Sequence, residues 1–418
     1  MTTLEIYDTT LRDGTQQEGI SLTAGDKLTI SRLLDELGVA YIEGGWPGAN
    51  PKDDEFFKRA QTELDLDTAT LVAFGSTRRA GSSAENDAQL AALVAAETEV
   101  VCLVGKSWDY HVEHALRTEQ QEAIAMIGDS VEYLRSLDRR VFFDAEHFFD
   151  GYRTNPEFAL ATLRAARDSG AERLVLCDTN GGTLPHDVER VIGEVSAALP
   201  DAGLGCHFHN DAGTAVANSL TAASAGIRQI QGCVNGYGER TGNADLCSVI
   251  PNVSLKMGYK SIPDDRLSHL TRVSHHIAEI INLTLDDHLP YVGVSAFTHK
   301  AGLHTSALAR RPDAYEHLPP ESVGNTTRTV VSELAGRSTI LAKAQDTGLE
   351  LTSEEAQLVV DRIKHLEHEG YHFEAADASF ELLVREAQGW TQPFFTLESY
   401  RVFVEHREGA VVAEATVK

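Results

Sequence analysis

The stretch Cys206-His207-Phe208-His209-Asn210-Asp211 decides both the fold and the site of this chain. It completes an apolar run, Leu204–Phe208, that has the length of a buried strand. Side chains two residues apart on a strand point the same way, so both imidazoles should enter one space where the strand ends. One histidine in an apolar strand is more often structural, but two at this spacing favour a metal site.

Short apolar runs of the same kind recur along the chain, and amphipathic stretches such as Ala24–Leu37 and Pro156–Ser169 separate them. Apolar strands that alternate with helices predict a parallel sheet covered by helices. Eight such units close naturally into a (β/α)₈ TIM barrel, and an open doubly wound sheet is the alternative. The predicted strands are Leu4–Asp8, Tyr41–Gly45, Thr70–Phe74, Val100–Val104, Val141–Ala145, Arg173–Cys177, Leu204–Phe208 and Gln229–Val234.

Polar residues gather just after these strands, at the end of a barrel where active sites lie. Arg12 and Asp13 follow the first strand, Glu146 the fifth, and Asp178-Thr179 the sixth. Asn235 opens a loop with three glycines after the eighth strand. Polar side chains at the ends of so many strands predict one shared pocket.

Composition narrows the class of protein. The 418 residues carry a net charge of −27, which repels nucleic-acid backbones and argues against a nucleic-acid partner. No window reaches the roughly 18 apolar residues of a membrane span, and the first residues do not resemble a signal peptide. We therefore expect a cytoplasmic protein. Its five cysteines form no CxxC pair, so we expect buried free thiols.

The pattern changes after the eighth unit, and we predict four segments. The barrel spans 1–262, a linker subdomain 263–345 and a helical subdomain 346–395, so the barrel is followed by small, mainly helical parts. Residues 396–418 read as strand, turn and strand, and we predict that they begin a further, truncated domain. Within the middle part, Thr329–Ala344 and Ser353–His368 have helical patterns.

Asp13 is a plausible third ligand beside His207 and His209. Mixed imidazole and oxygen ligation suits Mn²⁺, Mg²⁺, Co²⁺ or Zn²⁺, and the lack of a nearby thiolate argues against a structural zinc site. Arg12 beside such an aspartate could hold a carboxylate or an enolate oxygen. We disfavour a plain Arg12–Asp13 surface pair, because adjacent residues rarely bridge each other.

Several motifs together resemble the family of 2-isopropylmalate, homocitrate and citramalate synthases, and the citramalate synthase branch is the most similar. The resemblance covers nearly the whole chain. It is carried by Leu11-Arg12-Asp13-Gly14 with Gln16, His207-x-His209-Asn210-Asp211, Gly238-Glu239-Arg240-x-Gly242-Asn243, Ala296–His304 and Ser332–Ser338. The citramalate synthase branch is indicated by Glu43–Gly48, Val141–Tyr152 and Leu176–Gly182.

The resemblance implies a role for each matched residue. Asp13, His207 and His209 would bind a divalent metal, with Asn243 as a further metal-associated amide. Arg12 and the metal would polarise the 2-oxo group of an acceptor, and Glu146 and Thr179 would line its site.

The resemblance also implies the remaining catalytic groups. His304 would deprotonate the acetyl-CoA methyl group with help from Tyr315, and both would reach a barrel from the partner chain of a homodimer. His299 is the alternative base. Residues 396–418 would begin a regulatory domain.

The implied reaction joins acetyl-CoA, pyruvate and water into citramalate and CoA, a Claisen-type condensation that supplies an isoleucine precursor. Asp144 precedes Glu146 by two residues, so both should face the pocket, where Asp144 would contact substrate and disfavour 2-oxoglutarate. It could equally bond a neighbouring barrel side chain.

Three other functions are open to such a chain. One is 2-isopropylmalate synthesis from 2-oxoisovalerate. Another is a 3-hydroxy-acyl-CoA lyase, disfavoured because Glu239-Arg240 stands where such lyases carry a cysteine. A non-catalytic scaffold is the third, and it would have no chemical need of so complete a set of polar residues.

Overall fold

The protein is described by a computed structural model that covers residues 2–300, 304, 307–308, 311–390 and 395–418. Eight parallel strands close into a barrel in chain order, because β1 pairs with both β2 and β8. The TIM-barrel prediction is therefore confirmed. The strands are β1 (Glu5–Asp8), β2 (Tyr41–Gly45), β3 (Thr70–Ser76), β4 (Val100–Lys106), β5 (Arg140–Glu146), β6 (Arg173–Asp178), β7 (Leu204–Phe208) and β8 (Gln229–Gly232).

Alternate residues of these strands divide between two apolar clusters. One cluster joins strand residues such as Ile42 and Val101 to residues of the surrounding helices. The other contains Tyr7, Tyr41 and Phe142 and draws its buried members from strands alone, so it fills the barrel interior. This alternation is the two-residue period of a strand, with both faces buried.

Helices cover the barrel, and their ends carry the expected signals. Helix Ala24–Leu37 begins with a capping box between Thr23 and Asp26 and ends at Gly38, whose φ of 90° suits glycine. The helices are α1 (Ala24–Leu37), α2 (Pro51–Glu63), α3 (Ala88–Ala95), α4 (Asp109–His111), α5 (Gln120–Ser136), α6 (Phe148–Thr154), α7 (Pro156–Asp168), α8 (Pro185–Ala198), α9 (Ala215–Ser224), α10 (Leu246–Pro251) and α11 (Leu270–Ile281). None of the helices in the described part of the chain has both the length and the apolar content of a membrane span.

Packing divides the chain at other points than the predicted boundaries of 262 and 345. One compact unit runs to Phe297 and takes in Leu318–Thr326, and the other comprises Thr298–His317 and Thr327–Lys418. The first boundary lies later than expected because α11 buries Val273 and Ile277 in the barrel's own apolar cluster.

The second unit has its own core. Short strands β9 (Thr298–His299) and β10 (Arg328–Thr329) pair in parallel, and three helices follow. They are α12 (Arg337–Asp346), α13 (Ser353–His368) and α14 (Asp377–Ala387). The apolar cluster of this unit joins Ile340 of α12 to Val359 of α13, across the predicted boundary.

One predicted helix of the second unit is wrong at its start. The segment 329–336 is not helical, and α12 begins only at Arg337. The β-branched run Thr329-Val330-Val331 explains the difference, because such side chains are stiff and favour extended backbone. The predicted strand, turn and strand near residue 400 is confirmed as an antiparallel hairpin of β11 (Tyr400–Arg407) and β12 (Ala410–Val417).

Candidate active site

Two histidines and an aspartate meet at the C-terminal end of the barrel. His207 lies on β7 with His209 just beyond it, and the Nε2 atoms of the two rings are 3.3 Å apart. Asp13, in the turn after β1, places Oδ2 3.6 Å from His207 Nε2 and 3.7 Å from His209 Nε2. All three side chains are buried. The structure thus brings together three side chains predicted as metal ligands.

Asn243, the fourth predicted metal residue, lies against this group. Its Nδ2 donates to Asp13 Oδ1 at 2.8 Å and to the Tyr237 carbonyl at 3.0 Å. Its Oδ1 is buried and has no hydrogen-bond partner among the described residues. A buried acceptor left in this state is costly, and a bound cation would satisfy it if the amide turned.

The guanidinium of Arg12 is held in place on three sides. Its Nε donates to Glu43 Oε2 at 2.5 Å, its Nη1 donates to Asp13 Oδ2 at 3.0 Å, and it lies 3.9 Å from the centre of the Phe74 ring. The expectation that adjacent residues do not bridge is therefore wrong for Arg12 and Asp13. Their pair is not a surface pair, since only 12% of the Arg12 side chain is exposed.

The remaining barrel residues predicted to bind substrate line the same cavity, which has a volume of about 520 Å³. Asp144 and Glu146 both face it, as their spacing on β5 requires. Asp144 is buried and accepts a hydrogen bond from Gln231, whereas Glu146 forms an ion pair with Lys106. Thr179 Oγ1 accepts from the His147 backbone N–H at 2.9 Å.

Burial and the neighbouring charged groups together determine the pKa of each side chain in the site. Burial lowers the pKa of His207 to about 4, with the neighbouring His209 adding to the effect, and burial also lowers the pKa of His209. Burial alone would raise the pKa of Asp13, but Arg12 and the two histidines outweigh it and hold that pKa well below its usual range. At neutral pH the group therefore presents two neutral imidazoles and one carboxylate.

This donor set fits a divalent cation. Neutral imidazole nitrogens and an ionised carboxylate are the forms that bind metal, and their nearest donor atoms all lie within 4.8 Å of one another. The amide of Asn243 lies against Asp13, and its buried, unsatisfied Oδ1 would add an oxygen ligand if the amide turned. The residues present therefore suit the ion for which they were predicted.

His304 and Tyr315 lie together in the second unit. Their rings stack with centroids 4.2 Å apart, and the His299 ring lies 6.2 Å from that of His304. His299 is also 3.8 Å from Glu316. Three residues of the motif that carries His304, Ala301, Gly302 and Leu303, lie outside the described residues.

Sequence reasoning missed two buried residues that hold the site. Glu43 fixes Arg12, and Gln231 bonds both His207 and Asp144. A signal existed for each, because Glu43 is an acid within the short buried strand β2 and Gln231 is polar within β8. Polar residues inside fully buried strands are uncommon unless they have a partner.

Comparison with family models defines the class of protein. Residues 3–277 match the HMGL-like family, and residues 291–371 match the homocitrate synthase post-HMGL domain-like family. A crystal structure of the HMG-CoA lyase of Bacillus subtilis aligns with a TM-score of 0.59 at 21% identity, over 68% of this chain and 96% of that one. The barrel fold is thus shared with HMGL-like enzymes.

Individual relatives identify the family within this class of proteins. The (R)-citramalate synthase of Aquifex aeolicus is 51% identical, over 99% of this chain and 79% of its own length. The (R)-citramalate synthase of Streptomyces coelicolor is 53% identical, over 99% of this chain and 78% of its own length. A probable 2-isopropylmalate synthase of Methanopyrus kandleri is 35% identical, over 88% of this chain and 70% of its own length. The chain belongs to the (R)-citramalate synthase family.

Proposed function

We propose that the protein condenses acetyl-CoA with pyruvate and water to give citramalate and free CoA. The observation that carries the proposal is the convergence of Arg12, Glu146 and Thr179 on the Asp13–His207–His209 group, in a chain 51–53% identical to (R)-citramalate synthases. The names of those relatives favour the R enantiomer of the product.

Thr179 is suited to bind the carboxylate of pyruvate. Its oxygen already accepts the His147 N–H, so its own hydroxyl hydrogen remains available as a donor toward the cavity. A hydrogen bond to a carboxylate is stronger than one between neutral groups. Thr179 would therefore fix the orientation of the acceptor.

Arg12 is suited to stabilise the 2-oxo oxygen as it becomes negative. Its Nε and Nη1 are occupied by Glu43 and Asp13, which leaves Nη2 without a hydrogen-bond partner among the described residues. A divalent cation held by Asp13, His207 and His209, with Asn243 nearby, would add Lewis-acid polarisation of that oxygen. Positioned charge of this kind requires no rearrangement during the reaction.

The base would be His304, with Tyr315 stacked on its ring. It would take a proton from the methyl group of acetyl-CoA, and the resulting carbanion would attack C2 of pyruvate. The 2-oxo oxygen then gains a proton and becomes a hydroxyl. Water cleaves the thioester, so the products are the free carboxylate and the thiol of CoA. General base catalysis is worth roughly 10²–10⁴ in rate.

We also propose a homodimer in which His304 and Tyr315 of one chain serve the barrel of its partner. Co-purified mixtures of His207→Ala and His304→Ala chains test this arrangement. A mixed dimer would hold one barrel with intact ligands and an intact base from the other chain, so activity should return on mixing. Mixtures as inactive as either variant alone would mean that each chain supplies its own base.

The function is tested by the release of CoA thiol from acetyl-CoA in the presence of Mn²⁺ or Mg²⁺. Pyruvate, 2-oxobutyrate, 2-oxoisovalerate and 2-oxoglutarate are offered separately, and we expect selective turnover of pyruvate. Preference for 2-oxoisovalerate would make the protein a 2-isopropylmalate synthase instead. The ion that supports turnover best, among Mn²⁺, Mg²⁺, Co²⁺ and Zn²⁺, identifies the metal. We place the activity in the cytoplasm and in isoleucine precursor synthesis, since pyruvate and acetyl-CoA are central metabolites there.

A further inference from the structure

Three buried side chains of the barrel interior form a hydrogen-bonded row. His207 Nδ1 lies 3.0 Å from Gln231 Oε1, and Gln231 Nε2 lies 2.9 Å from Asp144 Oδ1. Gln231 pairs along the sheet with His207 on one side and with Tyr7 on the other. Since all three members of the row are nearly inaccessible to solvent, water does not compete for these bonds.

The row has a direction, which Asp144 sets. The amide nitrogen of Gln231 donates to Asp144 Oδ1, so the amide oxygen is the atom that faces His207. That oxygen can only accept, so the proton of the imidazole must reside on Nδ1. Nε2 is then left with a free lone pair, and it is the atom that faces Asp13 and His209.

His209 has no such anchor. Its Nδ1 is buried and has no hydrogen-bond partner among the described residues. The two histidines are therefore held by different means, although their Nε2 atoms meet. Control over tautomer and ring orientation lies with Gln231 and acts on His207 alone.

We propose that Gln231, oriented by Asp144, is a positioning residue that fixes His207 as the Nδ1-protonated tautomer and so presents Nε2 to the divalent cation. The inference rests on the proposed function, because it deepens the role of the same metal site. It also gives Asp144 a role that does not require contact with the acceptor. Partners of this kind behind metal-binding histidines typically contribute 10–100-fold to metal affinity.

The test measures the binding of Mn²⁺ to the metal-stripped full chain by calorimetry, so it does not depend on activity. Gln231→Leu removes both hydrogen bonds at similar size, and we expect Mn²⁺ affinity to fall roughly 10–100-fold. The matched control is Gln229→Leu. Gln229 is also buried on β8, two residues earlier, but it bonds Glu5 and not the site, so its variant should bind Mn²⁺ as the wild type does.

A second variant reverses the roles of the two partners. In the double variant Gln231→Glu with Asp144→Asn, the new carboxylate accepts from His207 Nδ1 and from the amide at position 144. The direction of the row is kept, so most of the affinity lost in Gln231→Leu should be regained. If Gln231 only filled space, the double variant would not regain Mn²⁺ affinity. The double variant also tests the proposal by itself if Gln231→Leu fails to fold.

Three results would overturn the inference: wild-type affinity in Gln231→Leu, an equal loss in Gln229→Leu, or no recovery in the double variant. Wild-type protein that binds no divalent cation would overturn both this inference and the metal site. Wild-type protein that binds Mn²⁺ but does not turn over pyruvate would refute the proposed acceptor alone.

Discussion

Gly238, in the loop after β8, is the position where the smallest substitution should disturb the site most. Its φ is 147°, and a Cβ placed on it would lie 2.1 Å from Asn243 Nδ2 and 3.1 Å from Asp13 Oδ1. Ordinary contact begins near 3.4 Å, so in Gly238→Ala the amide must retreat by about 1.3 Å. That movement breaks its 2.8 Å hydrogen bond to Asp13.

The magnitude follows from two contributions. A non-glycine residue at positive φ costs about 1–3 kcal/mol. A hydrogen bond to a charged group contributes about 1.5–3 kcal/mol, and its loss also frees Asp13 to turn. We therefore expect Gly238→Ala to lower the free energy of unfolding by about 2.5–6 kcal/mol and the affinity for Mn²⁺ by about 10–100-fold.

The control is Gly226→Ala, because Gly226 has a φ of 112° and nothing within 4 Å of the added Cβ. It carries the backbone strain without the collision, so it should lose about 1–3 kcal/mol of stability and keep its metal affinity. Urea unfolding and Mn²⁺ calorimetry measure both quantities. If Gly238→Ala bound Mn²⁺ as tightly as Gly226→Ala does, Asn243 and Asp13 would not need each other to hold the ion.

Three further predictions concern the chemistry and its dependence on pH. His304→Ala should lower kcat by on the order of 10²-fold or more with little change in KM for pyruvate, and unchanged kcat in steady-state assays would shift the base to His299. Thr179→Val, which keeps the shape but loses the donor, should raise KM for pyruvate more than KM for acetyl-CoA in the same assays. In metal-free protein, burial and the neighbouring His209 lower the pKa of His207 to about 4, which is below the value of about 6.5 in the unfolded chain. Between these two pH values the unfolded chain binds a proton that the folded chain does not, so the protein loses stability as the pH falls from about 6.5 toward 4. Urea unfolding should show a loss of roughly 3 kcal/mol over that range relative to His207→Gln, and parallel curves for the two proteins would contradict the assignment.

The barrel could be predicted because its signals are local. The strands Tyr41–Gly45 and Leu204–Phe208 and the helix Ala24–Leu37 have the predicted bounds in the structure. In each, a run or a period of apolar residues is bounded by a glycine, a polar residue or a cap that ends it. The spacing of His207 and His209 likewise places both rings together once the segment is a strand.

The contacts that fix the site could not be predicted in this way. Arg12 and Glu43 are 31 residues apart and meet because β1 pairs with β2. Gln231 and Asp144 are 87 residues apart on β8 and β5, and they meet only across the interior of the closed barrel. The start of α12 was missed for a related reason. Thr329 pairs with His299, 30 residues earlier, and this pairing favours the extended conformation over the helical pattern of its neighbours.

The balance of charge around the cavity connects the metal site with the choice of acceptor. Four carboxylates, Asp13, Glu43, Asp144 and Glu146, lie around the two cations Arg12 and Lys106, so this part of the site holds more acids than bases. Arg78 and Arg79 also line the cavity. Burial, and then the charge of Glu43, raise the pKa of Asp144 to about 7, which is the response expected of a buried carboxyl in an acidic place. A divalent cation would offset this excess, and a monoanionic acceptor such as pyruvate would then fit. A second carboxylate, as in 2-oxoglutarate, would be repelled if it came close to Asp144, and the nearby cations Arg12 and Lys106 already have anionic partners. We therefore expect the acids that would hold the metal to disfavour a dianionic acceptor.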